Sequence, residues 1–339
     1  MTVDLRPWLD GVPESVAVRI GKARRVLAVS HENPDADTIG AALAVSAIVA
    51  AAGGSADLVC SDPIPPLYEF IPGIERFRTD PDPAASYDLL VVLDCGSLER
   101  IGPVRGRHGT LFERTPRLIV DHHASNDGVG ELDWVDPTAA ATCELVTLLA
   151  TRMGVRLESG AGELATALLA GIVMDTATFA HPNATPRTLA VSAALVEAGA
   201  PLAEIARRLY RTKPDAQLRL FGRVLDRLET AAGGRIVHSA LLLDDLRSTG
   251  ALAAHSEGVI DLLSQAESAE VAILFKESDG GGTRISVRTR PGGLDATALT
   301  GAFGGGGHAR AAGATVRQPL AEARRLVLAE AERRLDAAD

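Results

Sequence analysis

Acidic and histidine side chains follow four short apolar runs in this 339-residue chain. Apolar runs of this length predict short buried strands, so each polar set is expected at the carboxyl end of a strand. In open α/β sheets ligands bind at that edge, where neighbouring parallel strands end side by side. In chain order, the sets are His31, Asp35 and Asp37 after Val26–Ser30, Asp94 after Leu89–Leu93, Asp121, His122 and His123 after Leu118–Val120, and Asp175 after Leu168–Met174.

Imidazole and carboxylate groups without thiolates favour a divalent cation such as Mn²⁺ or Mg²⁺ over structural zinc. Several carboxylates that converge without a cation repel one another and become partly protonated. Sites with two cations about 3.5–4 Å apart avoid this repulsion and promote in-line attack on phosphorus. Each set alone has a simpler interpretation, such as a helix N-cap for Asp35 or an ordinary loop acid for Asp94. Their shared position after apolar runs favours a single metal site.

Short strands alternate with helices in the first half of the chain, which indicates βαβ units and a mainly parallel sheet. The pattern is helical from Pro186 to Glu229, and strands return after it. A hairpin is expected at Gly280–Gly282. The predicted strands are Val26–Val29, Leu58–Val59, Leu89–Leu93, Leu118–Val120, Ile236–Leu243, Val271–Phe275 and Ile285–Thr289, and further predicted helices are Thr38–Ala52, Ala139–Met153 and about Leu320–Leu335.

These elements predict an α/β protein in three parts. Residues 1–200 are expected to form a metal-binding domain, whose mainly parallel sheet is flanked by helices. Residues 201–230 are expected to form a helical connector, and residues 231–339 a smaller α/β domain. The length of the chain agrees with two domains rather than one.

The composition limits the classes of partner. The formal net charge is −10, which argues against a protein that coats duplex DNA through a basic field. Three cysteines without a Cys-x-x-Cys pair fit reduced thiols better than a disulfide framework. The weakly polar stretch Ile39–Gly54 is too short to cross a membrane, and the first residues lack an apolar signal core. We therefore predict a cytoplasmic protein without a membrane partner.

Several motifs in the chain match a known family. They are His31-x-Asn33-Pro34-Asp35-x-Asp37-x-x-Gly40, Asp94, Asp121-His122-His123, Asp175-Thr176, Gly305-Gly306-Gly307-His308 and Ala311-Ala312-Gly313. With these motifs the sequence resembles the DHH/DHHA1 phosphoesterases along nearly its whole length. It is most similar to the branch of nano-RNases and 3′-phosphoadenosine 5′-phosphate (pAp) phosphatases. The resemblance implies that residues 1–200 form a catalytic DHH domain and that residues 231–339 form a substrate-binding DHHA1 domain.

The resemblance also implies two bound divalent cations, with Mn²⁺ favoured and Mg²⁺ as the alternative. Asp121 would orient a histidine, as acids near metal-bound imidazoles commonly do. His123 would touch the scissile phosphate or donate a proton to the leaving group. The implied metal ligands are His31 and Asp35 for one cation, Asp37, His122 and Asp175 for the other, and Asp94 as the bridge between them.

A second candidate cluster lies near the C-terminus, where the run Gly304–Gly307 precedes His308. Consecutive glycines let backbone N–H groups approach an anion closely, and a following histidine can bind a terminal phosphate or a base. Arg288 matches the family position for substrate phosphate, and its planar fork suits bidentate contact. A flexible loop and a solvated strand face are the simpler interpretations. The predicted substrate-binding residues are Arg288, Gly305, Gly306, Gly307 and His308.

The resemblance implies a two-metal phosphodiesterase and phosphatase. Such an enzyme would release mononucleotides from very short oligoribonucleotides such as pApA and would dephosphorylate pAp. Its partners would be short RNA or nucleotide substrates and, because relatives often dimerise, a second copy of the chain. A cyclic di-AMP phosphodiesterase, an inorganic pyrophosphatase and a non-catalytic nucleotide sensor remain as alternatives.

Overall fold

The Leu- and Val-rich runs of the first half form strands that are buried on both faces, as is typical of parallel sheets. The structure, a computed structural model, describes residues 3–126 and 132–337, and the chain divides into two units between Thr212 and Lys213. The first unit contains a six-stranded sheet in the order β3-β2-β1-β4-β5-β6, with every pair parallel. Its strands are β1 (Arg25–Val29), β2 (Ser55–Val59), β3 (Phe77–Arg78), β4 (Leu89–Leu93), β5 (Arg117–Asp121) and β6 (Leu132–Val135).

Helices cover both faces of this sheet. Alternate residues of β1 point to opposite faces, so Val26 packs in a large core cluster and Leu27 in a smaller one. The large cluster includes α3, α6 and α7, and the smaller one includes side chains of α4 and α5. The helices are α1 (Arg6–Leu9), α2 (Glu14–Lys22), α3 (Ala36–Ala51), α4 (Pro103–Arg107), α5 (Gly109–Arg114), α6 (Thr142–Arg152), α7 (Glu163–Asp175), α8 (Pro186–Glu197) and α9 (Leu202–Tyr210).

Helices α3 and α7 are apolar around most of their circumference, because both lie in the core. They approach closely at two glycines. A Cβ atom on Gly40 would lie 2.3 Å from Ala167 O, and one on Gly171 would lie 2.6 Å from Asp37 Oδ1. Since both distances are far below van der Waals contact, only glycine fits at these positions without a shift of the backbone.

The second unit contains a mixed six-stranded sheet in the order β11-β12-β10-β9-β8-β7, in which only β8 and β9 are parallel. One face carries a core with α13 and α14, and the other packs against α10 and α12. The elements are α10 (Asp215–Asp226), β7 (Glu229–Ala231), β8 (Ile236–Leu241), α11 (Leu243–Thr249), α12 (Val259–Leu263), β9 (Val271–Glu277), β10 (Thr283–Thr289), α13 (Ala296–Gly301), β11 (Gly306–His308), β12 (Ala311–Val316) and α14 (Leu320–Asp336).

The predicted fold class is confirmed, with a parallel α/β unit followed by a smaller unit. Apart from the strand expected at Leu168–Met174, the predicted strands and helices are present with shifted ends, and residues 278–282 join β9 and β10 as the predicted hairpin. Strand β12 was not predicted, because its Ala- and Gly-rich sequence has low strand propensity. The predicted connector, residues 201–230, contains α9 in the first unit and α10 in the second. Its exact boundaries stay a prediction.

The cysteines Cys60, Cys95 and Cys143 are free and buried. Within the described ranges, no single helix combines the length and the apolar composition that crossing a membrane requires. Helices Pro186–Glu197 and Leu202–Tyr210, bent by 113°, meet those two criteria only when they are taken together.

Candidate metal centre

The centre lies where the strand order of the first sheet reverses. The chain proceeds outward from β1 through β2 to β3, and then returns to β4 on the other side of β1. This is the topological switch point at which open α/β sheets bind ligands. His31 follows β1, Asp94 follows β4, and Asp121 is the last residue of β5. Asp94 turns the chain out of its strand with a φ of 59°, which is uncommon for a residue other than glycine.

Helices supply the remaining acids. Asp35 caps the N-terminus of α3, where its carboxylate accepts hydrogen bonds from the backbone N–H groups of Asp37 (3.0 Å) and Thr38 (3.2 Å). Asp175 is the last residue of α7. The prediction that Asp175 follows a strand is therefore wrong, because Leu168–Met174 belongs to a 13-residue helix. A short apolar run has the same periodicity in a buried helix as in a buried strand.

The predicted ligands converge in two groups. Within each group, one ligand atom from each residue lies within 4.8 Å of the others. His31 Nε2 is 3.7 Å from Asp35 Oδ1 and 3.5 Å from Asp94 Oδ2. The other oxygen, Asp94 Oδ1, lies 3.4 Å from His122 Nε2. Asp94 therefore directs one oxygen towards each group, and the groups are His31, Asp35 and Asp94, and Asp37, His122 and Asp175. A third cluster of possible ligands joins Asp94 and His122 to His123.

The nitrogen of His122 fits a cation. His122 Nε2 is buried and lies 3.1 Å from Asp175 Oδ2, yet it makes no hydrogen bond of acceptable geometry. A buried imidazole nitrogen without a hydrogen bond, surrounded by carboxylates, has the donor chemistry of a metal ligand. His31 also has a ring nitrogen that could bind a cation. Its Nδ1 lies 2.7 Å from Glu32 O and so carries the proton, which leaves Nε2 available to a cation.

The carboxylates change the pKa of both histidines. Burial disfavours the charged imidazolium, but Asp35 and Asp94 outweigh this effect and raise the pKa of His31 from 6.5 to about 10. In the same way, Asp175 and Asp94 outweigh burial and raise the pKa of His122 to about 12. Without a cation, these imidazolium groups supply the positive charge that the acids require.

The acids of the centre differ in their pKa. Burial and the charges of Asp94 and Asp175 raise the pKa of Asp37 well above its ordinary value. Burial also raises the pKa of Asp175, to about 6. The pKa of Asp94 is lowered, because its contacts with His122 and His31 outweigh burial. Divalent cations would relieve the repulsion that raises the pKa of Asp37 and Asp175.

Asp121 organises His123 rather than a metal group. The buried Asp121 Oδ1 accepts hydrogen bonds from the His122 backbone N–H (2.8 Å) and from His123 Nδ1 (2.7 Å). Asn126 Nδ2 donates to Asp121 Oδ2 at 2.7 Å. Burial would raise the pKa of Asp121, but His123 and Asn126 lower it. The His123 side chain is 34% exposed, so its orientation is fixed while its surface remains accessible.

Thr142, at the start of α6, was missed by the sequence analysis. Its backbone N–H donates to Asp37 Oδ2 at 2.6 Å, and the N–H of Cys143 donates to Asp37 Oδ1 at 2.8 Å. The carboxylate of Asp37 therefore lies at the positive end of a helix, which favours its ionised form. The sequence offered one indication of Thr142, which is its position three residues after the start of the predicted helix Ala139–Met153.

The predicted substrate residues of the second unit lie together on its sheet. Arg288 on β10 pairs with Ala311 on β12, which pairs in turn with His308 on β11. Residues directly opposite across neighbouring strands project to the same face, so Arg288 and His308 share a face. Arg288 Nε also donates to Asp261 Oδ1 at 2.9 Å, which holds the guanidinium in place.

The glycine run is only partly a loop, because Gly306 and Gly307 belong to β11. A Cβ atom on Gly305 would lie 2.2 Å from Gly313 O, and one on Gly307 would lie 2.6 Å from Ala311 O. A Cβ atom on Gly306 would meet no atom within 4 Å. Close packing against β12 therefore explains Gly305 and Gly307 without reference to a ligand.

The parallel sheet and the acid and histidine groups at its carboxyl edge define an α/β protein with a candidate metal centre. Residues 25–172 match the model of the DHH family, N-terminal domain, and residues 233–337 match that of the DHHA1 domain. The chain belongs to the DHH/DHHA1 phosphoesterase family.

Relatives cover most of the chain. A bifunctional oligoribonuclease and PAP phosphatase NrnA from Thermus thermophilus is 33% identical over 85% of this chain and 83% of its own length. The protein of the same name from Bacillus subtilis is 26% identical over 84% of this chain and 87% of its own. An exopolyphosphatase-related protein from Bacteroides fragilis shares the fold, with a TM-score of 0.83 at 20% identity over 98% of both chains.

Proposed function

We propose that this protein is a two-metal phosphoesterase that degrades very short oligoribonucleotides, such as pApA, to mononucleotides and dephosphorylates pAp. The observation that carries this proposal is the position of Asp94, whose two oxygens face separate groups of potential ligands. Family membership and the names of the Thermus and Bacillus relatives support the substrate class. Mn²⁺ is the proposed ion, since the donors are carboxylates and imidazoles, and Mg²⁺ is the alternative.

The residues of the first unit would have two roles, which are metal binding and contact with the phosphate. When bound, two divalent cations would activate a water for attack and neutralise charge that develops on the phosphate. Asp94 would hold both ions, and the two ligand groups would hold one each. Asp121 would keep the proton on His123 Nδ1, which leaves Nε2 of His123 to contact the phosphate or protonate the leaving oxygen.

In the second unit, we propose that Arg288, the backbone of Gly305–Gly307, and His308 bind the nucleotide part of the substrate. Their shared sheet face and the planar guanidinium support this role. Arg288 Nε donates to Asp261 and Nη1 donates to Val287 O at 3.3 Å, so Nη2 is the nitrogen that we propose contacts the phosphate. We also propose a homodimer, which size-exclusion chromatography with light scattering would test.

The test is a substrate panel of pAp, pApA, longer RNA, cyclic di-AMP and inorganic pyrophosphate, each with Mn²⁺ and with Mg²⁺. We expect turnover of pApA and pAp with Mn²⁺. Asp94→Asn keeps the size of the side chain and should lower the rates by several orders of magnitude, because it weakens both cation positions. Faster turnover of cyclic di-AMP or pyrophosphate than of pApA would show that this other compound, and not pApA, is the preferred substrate. Nucleotide binding without hydrolysis would indicate a sensor.

A further inference from the structure

Arg100 approaches a metal ligand from outside the two ligand groups. It lies six residues after Asp94, and its Nη2 is 3.2 Å from His31 Nδ1. The backbone of Arg100 is held by a hydrogen bond from Glu32 N to Arg100 O at 2.7 Å, and the next residue, Ile101, is fully buried. A fixed backbone beside the centre therefore presents a partly exposed guanidinium.

The contact with His31 does not give the Arg100 guanidinium a hydrogen-bond acceptor. His31 Nδ1 lies 2.7 Å from the carbonyl oxygen of Glu32, so this nitrogen carries a proton and donates it to that oxygen. A protonated nitrogen cannot also accept a hydrogen bond from Arg100. In the part of the chain that the structure describes, Arg100 has no ion-pair partner. A permanent cation therefore lies next to the centre with no carboxylate partner among the described residues.

We infer that Arg100 binds a non-bridging oxygen of the substrate phosphate, on the side of the centre formed by His31, Asp35 and Asp94. This inference rests on the proposed phosphoesterase function and adds a residue that none of the family motifs above contains. The planar guanidinium suits two parallel hydrogen bonds to phosphate oxygens. A fixed donor that meets charge developing in the transition state accelerates the reaction more than it tightens substrate binding.

The experiment compares Arg100→Gln and Arg100→Lys with the control Arg105→Gln. Arg105 lies 3.6 Å from Glu99, whose side chain is 80% exposed, so loss of that pair should change little. Hydrolysis of bis(p-nitrophenyl) phosphate and of pApA gives kcat and KM, and calorimetry gives the affinities for Mn²⁺ and for pAp. We expect Arg100→Gln to lower kcat/KM by about 10²- to 10³-fold, mainly through kcat. Arg100→Lys should recover part of this loss, and the Mn²⁺ affinity should stay close to that of the unchanged protein.

Two results would overturn the inference. One is Arg100→Gln with weaker Mn²⁺ binding but unchanged kcat, KM and pAp affinity at saturating Mn²⁺, which would make Arg100 a support for His31. The other is no effect in any of these measurements. If the unchanged protein hydrolyses neither substrate, the proposed function fails and this inference fails with it. Thermal unfolding of each variant separates these effects from misfolding.

Discussion

The hydroxyl of Thr142 donates a hydrogen bond to Asp94 Oδ1 across 3.1 Å. The backbone N–H of the same residue donates to Asp37 Oδ2. Thr142 is fully buried, so no water competes for these contacts. One residue at the start of α6 thus holds Asp94, which directs an oxygen towards each ligand group, and Asp37, which belongs to the second group.

Thr142→Val should therefore weaken metal binding. Valine keeps the volume and the backbone N–H but removes the donor to Asp94, and loss of such a supporting contact commonly costs about 10- to 100-fold in metal affinity. Titration calorimetry with Mn²⁺ measures the change. Thr147→Val is the matched control, because its hydroxyl bonds Cys143 O in the same helix. Equal affinities in the two variants would show that the Thr142 hydroxyl has no role in metal binding.

Metal binding should strengthen as the pH rises. The raised pKa values of His31 and His122 keep both imidazoles protonated in the metal-free protein at neutral pH, and a cation must displace these protons. Calorimetry in buffers of different ionisation enthalpy should show proton release on binding. An affinity that is independent of pH, with no proton release, would contradict the assignment of these histidines as ligands.

The metal-free protein should show the opposite trend in stability. A histidine whose pKa is raised on folding contributes stability that is complete below the unfolded pKa. For His31 that contribution is present below about 6.5 and is lost as the pH rises towards about 10. Thermal unfolding with a chelator, measured across this range, should give a Tm that falls with pH. A rising Tm would show that other groups dominate.

Asp121→Asn should lower kcat while metal binding is retained. The amide can present its N–H₂ group to His123 Nδ1 in place of a carboxylate oxygen, and so change the tautomer of His123. Loss of a positioned proton donor costs about 10²- to 10⁴-fold in rate. The expected profile is a large fall in kcat with a normal Mn²⁺ isotherm. A fall in Mn²⁺ affinity without a change in kcat at saturating metal would assign Asp121 to the metal centre instead.

Gly305→Ala and Gly306→Ala should separate the structural and the binding roles of the glycine run. The first substitution places a methyl group against Gly313 O and should cost about 1–3 kcal/mol of folding free energy, while the second meets no atom nearby. Chemical denaturation measures both. If Gly306→Ala keeps its stability but raises KM for pApA, the backbone there contacts substrate. Equal stability of the two variants would contradict the close packing of β11 on β12.

The sequence was sufficient to predict the positions of the candidate residues that follow strands, because the carboxyl ends of parallel strands meet at one edge of the sheet. His31, Asp94 and Asp121 are where this pattern places them. Asp175 lies in the same cluster but on a helix instead of the predicted strand, since a helix can end at the same edge of the sheet as a strand. The apolar run preceding it contains no polar residue that would distinguish the two.

Thr142 and Arg100 could not be predicted in the same way. Their roles depend on contacts with residues distant in the sequence, such as the bonds from Thr142 to Asp37 and Asp94. A threonine at the start of a helix and an arginine in a short 3₁₀ helix have no pattern that marks such contacts. The strand β11 was hidden for a related reason, because glycine has low strand propensity and its pairing with β12 is visible only in the fold.

The close approach of α3 and α7 also limits how far two of the candidate ligands can move apart. Asp37 lies in the first turn of α3 and Asp175 ends α7, and the two helices meet so closely that neither Gly40 nor Gly171 has room for a Cβ atom. A cation with longer bonds, such as Ca²⁺ at about 2.3–2.6 Å, would have to leave a ligand unused or displace two core helices. Selection against large ions would then come from the packing of the helix pair as well as from the chemistry of the ligands.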